Sequence, residues 1–402
     1  MDSVFVGRQP IYRVGVEVFA YELLFRNSDL NEAVFSNCDP ASAQVLLNTF
    51  LDIGLNRIVG PHLAYFNATR DMLLSSDHCA LLPKDRIVLE VSENEIPDRP
   101  LVESLSKLAA MGYKIALDDF TYDECFRPLL EMAHVVKLDV RAHGLQALPN
   151  QVDHLRKFQV KLLAEKVETH EEYEFCRQLG FDYYQGYFFC KPEILTESRI
   201  PFNRIAALQL LAKLTDASLS MSEISAVVEL DVALSYKLIF FINSAFHGLP
   251  QRIDSVRHAV TLIGTQRLRN WAGLIIFAGM DGKPQELMTT AVVRARMCEL
   301  LAVTLTHKST DQFFMVGLFS VLDAMFDRPM AVVLEPLHLS EDIQDALLGR
   351  PGLGGEVLRC VLAYEQCHWE AVRCRDVGIN AIRDAYVGAV EWARTTSQQL
   401  AG

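Results

Sequence analysis

Seven short stretches in the first half of this sequence end in, or beside, a residue able to hold a cation or move a proton. They are Glu22, Asn67, Glu90, the adjacent Asp118 and Asp119, Lys137 with Asp139, Glu165 with Glu168, and Gln185. One carboxylate at such a position is ordinarily a solvated loop residue or a helix cap. Recurrence in consecutive units calls for another reason. Gathered without a cation, four or five carboxylates would repel and raise one another's pKa values. Ligand sets made only of oxygen suit Mg²⁺, Mn²⁺ or Ca²⁺. Two such ions reached by Asp118 and Asp119 would polarise a phosphoryl oxygen and acidify a bridging water for in-line attack on a phosphodiester. Lys137 would then stand as a cation beside the developing negative charge. On local sequence alone, Lys137 fits an ion pair with Asp139 or a neighbouring carboxylate equally well.

The elements that must position these groups are legible as β-rich apolar runs at 16–25, 63–67, 87–91, 114–120, 135–140, 161–167 and 183–189, separated by longer amphipathic stretches. Strand-then-helix alternation predicts an α/β fold with a largely parallel sheet. Seven units of this kind, with no G-x-G-x-x-G fingerprint, suit a closed (β/α) barrel better than a doubly wound sheet. In such a barrel the strand ends converge on one mouth, which brings carboxylates from distant stretches together. Pro192 and Pro201 bracket a change of pattern, giving domains 1–198 and 199–402. The second is expected to be all-α. Ser220 and Ser222 are candidate caps, Asp231 is a candidate cap for the helix that follows it, Gly248-Leu249-Pro250 marks a break, and a last helix covers 379–393 before a polar tail.

Composition narrows the function. The chain has 402 residues, and 51 acidic against 38 basic side chains give a net charge of −13. That balance excludes tight unassisted binding to a nucleic-acid polymer. The apolar run at 271–280 is short of the ~20 residues that cross a bilayer, and the N-terminus lacks a basic region leading into an apolar one. A cytoplasmic protein without a membrane partner is therefore expected. Nine cysteines and no C-x-x-C pair suit a reducing compartment. Cys360, Cys367 and Cys374 recur every seven residues, which reads as one face of a helix.

Tyr21-Glu22-Leu23-Leu24-Phe25-Arg26 resembles the E-x-L-x-R signature of EAL domains, which bind and hydrolyse the bacterial second messenger cyclic di-GMP. The likeness continues through Arg8-Gln9-Pro10-Ile11, Phe66-Asn67, Leu89-Glu90-Val91-Ser92-Glu93, Leu117-Asp118-Asp119-Phe120, Lys137-Leu138-Asp139, Ala164-Glu165-Lys166-Val167-Glu168-Thr169 and Gln185-Gly186-Tyr187. The resemblance implies Glu22, Asn67, Glu90, Asp118 and Asp119 as ligands of two Mg²⁺ or Mn²⁺ ions, with Ca²⁺ able to substitute or inhibit. It implies Glu165 as a further acidic ligand or water-orienting group, Lys137 as an aid to the attacking water and Gln185 as a support of the water network. Gln9, Leu24 and Arg26 would contact the dinucleotide, while Glu93, Asp139 and Glu168 would support the ligands. One segment departs from the family. Phe-Gly-Thr-Gly normally follows the Asp pair, in a loop that helps place the metals and pairs barrels into homodimers. Here it is Phe120-Thr121-Tyr122-Asp123-Glu124, without either glycine.

The second half resembles an HDOD domain, a helical output module, through Leu230-Asp231-Val232-Ala233-Leu234, Ile242-Asn243-Ser244-Ala245-Phe246 and Leu262-Ile263-Gly264. It implies an unidentified protein partner. No histidine is followed by Asp, so no hydrolytic site is expected there, and His247 and His258 read as ordinary helix or loop histidines. Three functions fit: a phosphodiesterase that opens cyclic di-GMP to linear pGpG, a receptor that binds it without turnover, or a metal-dependent barrel acting on a sugar phosphate. The complete ligand set favours the first and the altered loop the second.

Overall fold

The structure is a computed structural model that describes residues 4–27, 55–74, 79, 82–92, 95–190, 211–213, 219–229, 255–256, 258, 264–278, 283–305, 310–337 and 339–401. By its internal contacts the chain forms two compact units, Met1–Lys191 with Glu365–Glu370, and Pro192–Tyr364 with Ala371–Gly402.

The first unit is a closed barrel of eight strands in sequence order: β1 (Val4–Arg13), β2 (Val18–Asn27), β3 (Leu63–Asn67), β4 (Ile87–Val91), β5 (Lys114–Leu117), β6 (Val135–Asp139), β7 (Lys161–Glu165) and β8 (Tyr183–Gln185). Seven of them follow the apolar runs. The additional one, β1, is interrupted by Gly7, Arg8, Gln9 and Pro10, which removes the continuous β-branched signal a strand normally gives. It is antiparallel to both β2 and β8, whereas β2 to β8 are mutually parallel. Pro10 is tolerated because β1 pairs with β8 only from Ile11 onward. Gly15 and Val16, both at positive φ, make the turn that joins β1 to β2.

Alternation within the strands sorts the barrel into layers. Ile11, Ala20, Tyr65, Val88, Ala116, Val135 and Leu163 form one buried apolar cluster. Gln9, Glu22, Asn67, Glu90, Asp118, Lys137 and Glu165 each lie two residues from a member of it, hence on the same inward face and one layer nearer the mouth. The apolar layer plugs the barrel beneath and leaves the polar layer as its floor.

Helices fix the strand ends. The helix α1 (Arg99–Ala110) is started by Asp98, whose carboxylate accepts from Leu101 N–H. Asp139, the last residue of β6, caps α2 (Val140–Leu155) through Arg141 N–H and Ala142 N–H, and Thr169 and Glu172 form a capping box on α3 (His170–Gln178).

The second unit is helical in all its described parts. It contains α4 (Met221–Glu229), α5 (Thr265–Ala278), α6 (Gln285–Leu305), α7 (Asp311–Phe319), α8 (Leu353–Glu365) and α9 (Ile379–Ala401), with shorter helices between α7 and α8. Ser220 caps α4, its hydroxyl accepting from Glu223 N–H while the Glu223 carboxylate accepts from Ser220 N–H. The expected cap at Asp231, the break at Gly248-Leu249-Pro250 and His247 lie outside the described residues. The final helix extends past 393 to Ala401. The three evenly spaced cysteines do not share a helix face, because α8 ends at Glu365: Cys360 is inside it, Cys367 lies beyond its end with φ 55°, and Cys374 follows a short 3₁₀ turn. Among the described residues no helix is long and apolar enough to cross a membrane.

Candidate active site

Strand register decides which side chains meet. Asn67 pairs with Glu90 across β3 and β4, Asp139 with Glu165 across β6 and β7, and Gln9 with Glu22 across the β1–β2 hairpin. With these registers set, Glu22, Glu90, Asp118 and Glu165 form a ring around Lys137, whose side chain is fully buried. Its Nζ lies 2.6 Å from Glu90, 2.7 Å from Asp118, 2.8 Å from Glu165 and 3.2 Å from Glu22. Of the two partners open in the sequence, Lys137 therefore takes the neighbouring carboxylates and not Asp139, which is bound 2.5 Å from Lys166.

One ammonium cannot neutralise four carboxylates. Burial, reinforced by Glu22 and Asp118, pushes Glu90 well above the usual carboxylate range, and burial with Asp118 and Glu22 does the same to Glu165. Burial alone would lower Lys137, but Asp118, Glu165, Glu22 and Glu90 more than reverse this and hold its proton firmly. The cluster retains a negative excess that only further positive charge or protons can relieve.

The donor set fits a divalent cation. Glu22, Glu90 and Asp118 each offer an oxygen within 4.8 Å of the others. Glu90 Oε2, Glu165 Oε2 and Gln185 Oε1 are buried with no hydrogen-bond partner, which is costly unless they serve a ligand. All are hard oxygens, the chemistry of Mg²⁺, Mn²⁺ and Ca²⁺ sites. Gln185 orients this side of the ring, its Nε2 donating to Glu22 Oε2 at 2.7 Å and to Gln9 Oε1 at 3.0 Å, while Asn67 Nδ2 reaches Glu22 Oε1 at 3.3 Å. Gly186 makes the placement of Gln185 possible. A Cβ there would lie 1.9 Å from Val167 O, at the point where Val167 N–H donates to Gln185 O.

Not every expected site residue joins this ring. Asp119 has φ 43°, and its carboxylate lies 3.3 Å from Lys166 outside the Glu22–Glu90–Asp118 group. Glu168 pairs with Arg141 at 2.8 Å, and Asp139 caps α2. Leu24 stands opposite Gly7, half-buried at the rim. Arg26 pairs with Phe5 by its backbone; its side chain and all of Glu93 lie outside what the structure describes. The loop without glycines is held by other means. Tyr122 N–H donates to Gln151, the Tyr122 ring stacks on His154 at 4.7 Å, and Asp123 caps the following 3₁₀ turn.

A family model for the EAL domain matches residues 69–192, and one for the HDOD domain matches residues 200–326. The cyclic di-GMP phosphodiesterase CdgJ of Vibrio cholerae is 31% identical over 410 residues, spanning 100% of this chain and 94% of CdgJ. This chain belongs to the EAL–HDOD family. The uncharacterized protein YuxH of Bacillus subtilis is 29% identical over 97% of this chain and 98% of its own. A structure of Klebsiella pneumoniae BlrP1 with calcium and cyclic di-GMP has 21% identity and a TM-score of 0.38, covering 46% of this chain and 54% of that one.

Lys166 lies beside this ring, and sequence reasoning gave it no role. It follows Glu165 at φ 55°, and its ammonium joins Asp139 and Asp119. Burial opposes its charge, but the hydrogen bond to Asp139 and the nearby Asp119 hold its proton above the usual lysine range. The available signal was a long basic side chain directly after a strand-end acid. What concealed it was the backbone reversal that turns the side chain back over β6.

Proposed function

We propose that this EAL–HDOD chain hydrolyses cyclic di-GMP to linear pGpG with the aid of divalent cations, Mg²⁺ or Mn²⁺. The observation that carries the reading is the ring of buried Glu22, Glu90 and Glu165 and half-buried Asp118 around Lys137 at the barrel mouth, with Gln185 and Asn67 supporting Glu22. The name and length match of CdgJ supports the same reading.

Divalent cations bound by Glu22, Glu90 and Asp118, with Asn67 and Asp119 as further candidates, would supply Lewis-acid polarisation of the phosphodiester and a more acidic water. The chain's own groups do the rest. Lys137, held protonated, is a fixed positive charge and not a base, so it stabilises negative charge gathering on the attacking oxygen and the phosphoryl group. Glu165, whose carboxyl group burial holds above the usual carboxylate range, is the group placed to accept a proton from water. Gln185 fixes the Glu22 carboxylate, and Gln9, Leu24 and Arg26 belong to the hairpin expected to contact the dinucleotide. Water oxygen bonds to phosphorus, one ester P–O bond breaks, and the leaving oxygen takes up a proton, which gives the linear dinucleotide. The α-helical unit is the proposed output module for a protein partner.

The test is incubation of the purified chain with cyclic di-GMP and Mg²⁺ or Mn²⁺, following both binding and pGpG. Turnover is expected, and Glu22→Ala or Lys137→Ala is expected to abolish it. Tight binding with no pGpG release would instead make the chain a receptor.

A further inference from the structure

Residues Glu365–Glu370 lie in sequence between two helices of the second unit, yet by their contacts they belong to the first. They lie close against the β1–β2 hairpin. A Cβ added to Gly7 would stand 2.7 Å from Cys367 Sγ and 3.3 Å from Cη2 of Trp369, so this strand position admits only glycine while the segment is in place. Tyr187, two residues beyond Gln185, donates its hydroxyl hydrogen bond to the carbonyl of Glu365.

Register shows which face is covered. Gly7 is directly opposite Leu24, and Gln9 directly opposite Glu22. Opposed residues of an antiparallel pair share a face, and Gly7 and Gln9 are two residues apart, so all four point to the same side. The segment thus sits on the inward face about 7 Å, one pleat repeat, above the Gln9–Glu22 level. The Glu22 carboxylate is near enough to act on the Cys367 thiol, which burial, then Glu22 and Glu365, push upward. Cys367 holds a left-handed backbone, a conformation that a side chain adopts at a cost and that recurs in segments with two positions. The return of the chain is fixed as well: Arg375 bonds Glu356 through its N–H at 3.0 Å and its Nε at 2.8 Å.

We propose that residues 365–370 form a strap across the β8–β1–β2 side of the barrel mouth, occupying part of the dinucleotide site, and that it lifts when substrate enters. The inference rests on the proposed function for what the site binds; the strap itself rests on Gly7, Leu24 and Tyr187. It makes Trp369 and Cys367 determinants of access, not of chemistry.

The experiment uses the full chain. Trp369→Ala removes the ring resting on Gly7, and Tyr187→Phe removes the hydrogen bond to Glu365 while keeping the ring. Affinity for cyclic di-GMP is measured with Ca²⁺, and KM with Mn²⁺. In parallel, alkylation of Cys367 by N-ethylmaleimide is followed by peptide mass spectrometry with and without the dinucleotide. A site open about a tenth of the time gains about tenfold in apparent affinity when it is open throughout. Either variant is therefore expected to bind up to about tenfold more tightly with a lower KM. In the unmodified chain the dinucleotide is expected to accelerate Cys367 alkylation several-fold. Weaker binding by both variants, or protection of Cys367 by the dinucleotide, would make the segment a wall of the site and overturn the strap. Binding that leaves the alkylation rate unchanged overturns it too, with the functional reading intact. No binding by the unmodified chain or either variant rejects both.

Discussion

Lys137→Met tests the electrostatic design of the barrel, because it keeps most of the apolar stem and removes the ammonium group that contacts the carboxylates. At an effective dielectric of about 20, each contact of 2.6–2.8 Å is a gross attraction of roughly 6 kcal/mol, most of it offset by desolvation. Removing one partner of a buried ion cluster costs about 3–5 kcal/mol, since the remaining charges stay buried. The carboxylates can escape part of that cost by taking up protons, worth up to about 1.4 kcal/mol per pH unit for each proton. We therefore expect the metal-free variant to lose about 3–5 kcal/mol at pH 8 and clearly less at pH 5. Urea denaturation of both proteins in chelator, and again with Mn²⁺, reads this directly. A cation at about 100 times its dissociation constant should return about 2.7 kcal/mol if the ring still binds it. Equal stability of variant and unmodified chain at pH 8 in chelator would show that Lys137 does not hold the carboxylates together, and the account of the site would be wrong.

Other outcomes follow from the same geometry. Glu90 and Glu165 have folded pKa values raised above those of the unfolded chain, so their contribution is fully present below the unfolded value and is lost as pH rises through the folded ones. Metal-free stability should therefore fall as pH increases above about 5, and Mn²⁺ should flatten that slope while releasing protons, measurable by calorimetry in buffers of different ionisation enthalpy. Gly186→Ala must move the Val167 carbonyl and is expected to cost about 1–3 kcal/mol, with a loss of activity that exceeds the loss of folded protein; unchanged kinetics would contradict the role given to Gln185. Lys166→Ala leaves Asp119 and Asp139 without their shared cation, so it should change stability by less than about 1 kcal/mol while strengthening the binding of a second divalent cation. Unaltered cation stoichiometry and affinity in titration calorimetry would show that Lys166 does not compete there.

Much of this architecture was legible because barrels impose a period of two. An inward apolar residue followed two positions later by a polar one, as in Ala20 and Glu22 or Val88 and Glu90, marks both the strand and the end at which it opens. Strand β1 was not visible in that way, since Gly7, Arg8, Gln9 and Pro10 serve the hairpin, the rim and the close approach of other residues before they serve strand propensity. The location of Lys137 inside the ring was left open by its local sequence, where Asp139 is the nearest acid; register with β7 and the capping of α2 resolve it. The separation of Asp119 from Asp118 depends on one left-handed residue, a backbone choice that an aspartate pair does not announce. The cysteine spacing misled for a related reason, because a seven-residue period carries meaning only while the helix continues, and α8 stops between Cys360 and Cys367.

The reversed direction of β1 has a practical bearing on handling the protein. Every other strand of the barrel climbs toward the open end, but this one descends from it, so Val4 stands near the rim and Arg13 at the base. Any affinity tag or fluorescent fusion joined ahead of Val4 would emerge beside the entrance, where it could crowd incoming ligand.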